Sequence, residues 1–119
     1  MIEQDLLGKQ VKTVFLGIGS NLGERKKNIE KAKFELTQNR INVAMSSNFY
    51  ESLSWPNPYE PKYLNIVLKI FTDLSPQKLL NICKKIEFQL GRRKSFKNAP
   101  RVCDIDIIDY NNQQIEQNL

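Results

Sequence analysis

A chain of 119 residues is the length of one ordinary domain, and 40% hydrophobic with 26% charged residues is a globular balance that argues against disorder over most of it. Eighteen Lys and Arg against thirteen Asp and Glu give a net charge of +5, which suits a phosphate-rich ligand and also suits many small domains with none. No histidine is present, so imidazole is excluded as base, nucleophile partner or metal ligand, and any catalysis must rest on carboxylates, cations, metal ions and positioning.

The start, Met1-Ile2-Glu3-Gln4-Asp5, is acidic and lacks the apolar core of a secretory signal, so residues 1–11 read as a flexible extension of a single 1–119 domain. Lys12 to Ile18 is a β-branched and aromatic run that predicts a buried strand, ending at the Gly19-Ser20-Asn21 turn. A helix follows from about Glu24 to Asn39, with Ile29, Ala32 and Leu36 on one face. Asn42 to Ser52 predicts a second strand. Pro56, Pro58 and Pro61 then force a loop, and Tyr63 to Thr72 predicts a third strand.

Ser75-Pro76 is a helix start, with Leu79, Cys83, Ile86 and Leu90 as the buried stripe and Gly91 as the stop. Arg92 to Pro100 is a basic loop, Arg101 to Tyr110 a strong strand, and Asn111-Asn112 a hairpin turn towards a short strand near Gln114-Ile115. The order β-α-β-β-α-β predicts an α+β, ferredoxin-like domain: an antiparallel sheet with two helices on one face. Cys83 and Cys103 each lie in an apolar pattern and read as buried thiols of a reducing, cytoplasmic compartment. No apolar run reaches the ~20 residues of a membrane span.

Four constellations could carry chemistry. Asp104 and Asp106 alternate on the last strand, so they share a face, ~6.8 Å apart. Two hard carboxylates so placed suit Mg²⁺, although an acidic solvated strand face would look the same. Arg92, Arg93, Lys94, Lys97 and Arg101 crowd the loop just before them. A metal-binding carboxylate pair beside flexible guanidinium groups is what phosphoryl transfer asks for. Gly17-Ile-Gly19-Ser20-Asn21-Leu22-Gly23 misses both the dinucleotide and the P-loop spacing, and reads as a turn needing small residues. Trp55, Tyr59, Tyr63 and Asn65 form an aromatic and amide set, with Tyr63 and Asn65 on one strand face, able to stack on and hydrogen-bond a flat heterocycle.

Taken in order, Phe15-Leu-Gly-Ile-Gly-Ser-Asn-Leu-Gly, Ser47-Asn-Phe-Tyr-Glu-Ser, Tyr63-Leu-Asn-Ile-Val, Leu79-Leu80 through Ile86-Glu87, Gly91-Arg92 and Ala99-Pro-Arg-Val-Cys-Asp-Ile-Asp-Ile-Ile resemble the 6-hydroxymethyl-7,8-dihydropterin pyrophosphokinase family. The resemblance implies transfer of diphosphate from ATP to a pterin hydroxymethyl group in folate synthesis, with release of AMP and help from two Mg²⁺ ions. It implies Asp104 and Asp106 as metal ligands and Arg92 and Arg101 as catalytic cations. It implies Leu80, Glu87, Arg92, Lys94, Arg101 and Ile107 around the nucleotide, and Ser52, Leu53, Trp55, Tyr63 and Asn65 around the pterin.

The family's Trp-Gly-Pro-Arg-Thr reads Asn98-Ala99-Pro100-Arg101-Val102 here, which removes a loop tryptophan and a hydroxyl. The resemblance also implies a chain short of the family's C-terminal part, with its histidine, a further arginine, the second stacking aromatic and a strand. A weakly active or inactive remnant, or a fragment of a larger folate enzyme, is the alternative this raises. It further raises a partner chain or dihydropteroate synthase domain at the open sheet edge. An RNA-binding module has the same element order, but its aromatic signature is absent, so no nucleic-acid partner is expected.

Overall fold

The computed structural model describes residues 10–91 and 100–112. Its elements are β1 (Lys12–Ser20), α1 (Arg25–Thr37), β2 (Ile41–Ser46), β3 (Tyr50–Ser52), β4 (Tyr63–Thr72), α2 (Pro76–Gln89) and β5 (Asp104–Tyr110). The main path of the antiparallel sheet is β2-β4-β1-β5, with β3 added beside β4. This is the ferredoxin-like βαββαβ arrangement, with one strand split in two.

Alternation sorts each strand into two faces. Val14, Leu16 and Ile18 of β1, Ile66, Leu68 and Ile70 of β4, and Ile105 and Ile107 of β5 are buried. They form one core with Ile29, Ala32 and Leu36 of α1 and Leu79, Cys83 and Ile86 of α2. Both helices therefore cover the same face, and the odd-numbered positions of β1 and β4 turn the other way.

The helix ends differ in how they are held. Ser75 caps α2 by accepting from the Lys78 N–H at 3.3 Å, with Pro76 in the first turn. Gly91, at φ 118°, ends it as expected. Glu24 gives α1 no side-chain cap. Instead Asn28, in the first turn of α1, donates to the Leu22 carbonyl at 2.9 Å and to Ser20 Oγ, tying the helix to the end of β1.

Two boundaries depart from the sequence expectation. The run from Asn42 to Ser52 is not one strand. Ser47 exchanges bonds with Val67, its N–H donating to the Val67 carbonyl and its Oγ accepting from the Val67 N–H, both at 2.8 Å. A side-chain oxygen thus replaces a ladder carbonyl, and the chain leaves β2 before pairing again as β3. The last strand begins at Asp104, not Arg101, because the main chain of Arg101 bonds Asn21 in the β1–α1 turn rather than a neighbouring strand.

Asn111 and Asn112 sit at φ 50° and 67°, the left-handed pair of a tight turn. The expected strand near Gln114-Ile115, most of the basic loop and most of the N-terminal extension lie outside the described residues. Among the described residues β2 and β5 each pair on one side only. None of the helices described is long and apolar enough to cross a membrane.

Candidate active site

The sheet face away from the helices is shaped by two glycines. Gly19 of β1 pairs with Asn65 of β4 on one side and Asp104 of β5 on the other. Gly17 stands likewise between Val67 and Asp106. A Cβ on Gly19 would lie 2.9 Å from Asn65 Oδ1 and 3.2 Å from Tyr63 Cδ1, so only glycine lets these side chains lean over β1. The dip is a cavity of about 280 Å³ lined by Gly17, Gly19, Tyr50, Ser52, Tyr63, Asn65, Asp104, Asp106 and Ile108.

A second cavity of about 330 Å³ adjoins it, and Tyr63, Asp104 and Asp106 line both. Its other walls are Asn21, Leu53, Ser54, Trp55, Asn57, Glu60 and Arg101. The two aspartates therefore stand in the shared wall of one bipartite cleft. One compartment is edged by a phenol and a carboxamide, the other by a guanidinium and an indole.

Asn65 is held by its amide nitrogen, which donates to Ser52 Oγ at 2.9 Å and to the Tyr50 carbonyl at 3.3 Å. Its oxygen faces Gly19. Trp55 is 80% exposed and Leu53 63% exposed, at the rim of the second compartment. Their loop is pinned at its base. Arg25 donates to the Lys62 carbonyl at 3.0 Å and pairs with Glu51 at 2.9 Å, and Ser54 Oγ donates to the Pro61 carbonyl.

Ser52, Leu53, Trp55, Tyr63, Asn65, Arg101, Asp104 and Asp106 thus come together around the cleft. Leu80, Glu87 and Ile107 line neither compartment. Ile107 is buried in the core, Leu80 packs against it, and Glu87 is buried beneath β5. There Glu87 Oε2 accepts the Ile105 N–H at 2.6 Å, fixing the backbone between the two aspartates from the helix side. Arg92 and Lys94 lie outside the described residues. Cys83, buried on α2, has its thiol pushed up to about 12 by burial, with the Glu87 and Asp106 charges adding to it and Lys84 opposing.

Sequence reasoning missed Asn21, which it took as part of a turn chosen for small size. Asn21 is 3% exposed and bonds three separate segments. Its only advance signal was a carboxamide directly after a buried strand, where a turn residue would be expected to face water.

Residues 15–118 match the family model for 7,8-dihydro-6-hydroxymethylpterin-pyrophosphokinase. The chain belongs to this family. It is 42% identical over 107 residues, 90% of its length, to the 2-amino-4-hydroxy-6-hydroxymethyldihydropteridine pyrophosphokinase of Aquifex aeolicus, and covers 66% of that protein. The enzyme of the same name from Bacillus subtilis is 32% identical over 86% of the chain, which covers 62% of it. The bifunctional protein FolKE of Lactococcus lactis is 36% identical over 90% of the chain, which covers 31% of it. The pyrophosphokinase match thus takes in most of β1, all of β2 through β5 and the whole cleft, while the chain spans just under two thirds, or less, of these relatives.

Proposed function

We propose that the protein transfers a diphosphate group from ATP to the hydroxymethyl oxygen of 6-hydroxymethyl-7,8-dihydropterin, releasing AMP, as a step of folate synthesis. The observation that carries this reading is the bipartite cleft with Asp104 and Asp106 in its shared wall. A pterin is a flat heterocycle with donors and acceptors along its edge. The compartment of Tyr63 and Asn65 offers a ring to stack on and, on Asn65, a carbonyl oxygen to accept from an amino group. The compartment of Arg101 offers a cation to a polyphosphate.

Asp104 and Asp106 fit Mg²⁺, because they present hard oxygens on one rigid strand with open cleft on both sides for waters and phosphate oxygens. When bound there, Mg²⁺ neutralises phosphate charge and lines up the reacting groups. The remaining work falls to the chain. Tyr63 and Asn65 hold the pterin so that its hydroxymethyl arm reaches the shared wall. Arg101 balances charge on the phosphates, a role the family resemblance extends to Arg92 and Lys94. Glu87 acts from behind the strand by fixing Ile105. No side-chain base is needed, since orientation and charge carry most of phosphoryl transfer. The buried free thiols fit a cytoplasmic setting, and the edge of β5, which among the described residues pairs on one side only, would accept a further strand or a partner folate enzyme.

The test is AMP release from ATP by the purified protein. It should require both the pterin and Mg²⁺. AMP release without the pterin would mean a different acceptor. ATP binding without AMP release under any condition would mean a nucleotide-binding remnant.

A further inference from the structure

Arg25 is the first residue of α1, and its side chain leaves the helix for the loop between β3 and β4. Its Nη1 donates to the Lys62 carbonyl at 3.0 Å and pairs with Glu51 Oε2 at 2.9 Å. Glu51 directly precedes Ser52, and Lys62 directly precedes Tyr63. One guanidinium nitrogen therefore bridges both stems of the loop, each a single residue from a wall of the Tyr63–Asn65 compartment. Ser52 Oγ accepts from Asn65 Nδ2 at 2.9 Å, so the place of the carboxamide also depends on the β3 stem. That stem needs a tie. β3 is three residues long, all three are exposed, and among the described residues it pairs with β4 alone. A ladder so short, with nothing buried, holds weakly by itself. The other end of the tie is firm. Ile29, one turn further along α1, is fully buried, and Asn28 bonds the first turn to Leu22 and Ser20.

We propose that Arg25 is a positioning residue for the pterin: it lines neither compartment, and it acts through Ser52 and Tyr63 by holding the two stems of their loop at a fixed separation. The inference rests on the pyrophosphokinase reading for the identity of that ligand. The Arg25 and Glu51 side chains are 32% and 49% exposed, and an ion pair that open to water contributes little alone. The same nitrogen also meets a main-chain carbonyl, and a charged donor makes the stronger kind of hydrogen bond. Removing Arg25 therefore has a modest effect with a definite address. It falls on the ligand that needs Ser52, Tyr63 and Asn65 in register, and not on the one that meets Arg101. Lys27 is the internal contrast: a cation of the same helix turn that pairs with Glu24 and makes no bond to the loop.

The experiment is steady-state AMP release by the full chain, with the pterin varied at saturating Mg-ATP and then ATP varied at saturating pterin. Arg25→Ala should raise the KM for the pterin about fivefold, the worth of one ordinary hydrogen bond, with kcat and the KM for ATP within about twofold of the wild type. Calorimetric affinity for the pterin, measured with a non-hydrolysable ATP analogue and Mg²⁺ present, should show the same fivefold loss, and it carries the test if the wild type binds without turnover. Glu51→Gln keeps an acceptor for Arg25 and should cost less than Glu51→Ala. The double variant Arg25→Ala with Glu51→Ala should be no worse than Arg25→Ala, because both changes break one link. Lys27→Ala should leave the pterin values at those of the wild type. A merely structural role would lower the melting temperature of Arg25→Ala with its pterin KM and affinity unmoved, and that result overturns the inference alone. Equal losses for pterin and ATP, or a loss matched by Lys27→Ala, do the same. A wild type that binds no pterin overturns the pyrophosphokinase reading together with it.

Discussion

The two faces of the same sheet obey opposite rules. On the helix side, β1, β4 and β5 present Leu16, Ile18, Leu68 and Ile105, all buried and all interchangeable in kind. On the other side the same strands present Gly17, Gly19, Tyr63, Asn65, Asp104 and Asp106 around an open cleft. One face is chosen for volume, the other for chemistry, and a one-residue alternation keeps them apart. The core face supplies the stability that lets two like charges and two strand glycines persist on the opposite side, features that a sheet selected for stability alone would avoid.

That contrast can be broken most strongly from the core side. Leu68→Ala should cost about 2–5 kcal/mol in urea unfolding, since Leu68 of β4 is fully buried in the core. Its effect on ligand affinity should follow only the loss of folded protein. From the cleft side, Asp104→Asn should lower the rate of AMP release by about 10²–10³, or ~2.7–4 kcal/mol, as losing one preorganised charge stabiliser does. A fall in rate under tenfold would take Asp104 out of the reaction.

Gly19→Ala sharpens the comparison, because it adds a methyl group where volume is not wanted. Asn65 Oδ1 and Tyr63 must give way, at about 1–3 kcal/mol of stability. Pterin affinity should drop by more than the nucleotide affinity, because both displaced side chains edge the Tyr63–Asn65 compartment. Equal losses for the two ligands would argue against that division of the cleft.

Much of this division was legible in the sequence. Alternation in Asp104-Ile-Asp106-Ile and in Tyr63-Leu-Asn65-Ile placed the chemical side chains on one face, and heptad-like spacing placed Leu79, Cys83 and Ile86 in the core. These are local periodicities, and local periodicity survives in sequence. The bonds of Ser47, Asn21 and Glu87 were not legible, because each joins segments far apart in the chain through a polar atom that pattern cannot assign. Ser47 looked like part of a strand and instead interrupted one. Glu87 came only from the resemblance, as a residue around the nucleotide, and its bond to the Ile105 N–H beneath β5 had no signal in the local pattern.

The smallest expected effect lies in pH. Burial first, then the Glu87 and Asp106 charges, raise the Cys83 thiol from 9.0 to about 12. The unfolded chain ionises there more readily than the folded one. The stabilisation is fully present below pH 9 and is lost as pH rises from there towards 12. Wild-type stability should therefore fall more steeply than that of Cys83→Ala as pH rises from 9.0 towards about 12, in parallel urea titrations. Parallel slopes would mean that the thiol titrates as if exposed.

The central claim is that Asp104 and Asp106 form the metal-dependent wall between a pterin and a polyphosphate. Calorimetric titration of a non-hydrolysable ATP analogue tests it most directly, with and without Mg²⁺, on the wild-type protein and on Asp104→Ala. The expected result is binding to the wild type that strengthens at least about tenfold when Mg²⁺ is added, and loss of that Mg²⁺ effect in Asp104→Ala. Binding that ignores Mg²⁺, or an Mg²⁺ effect that survives unchanged in Asp104→Ala, would contradict it.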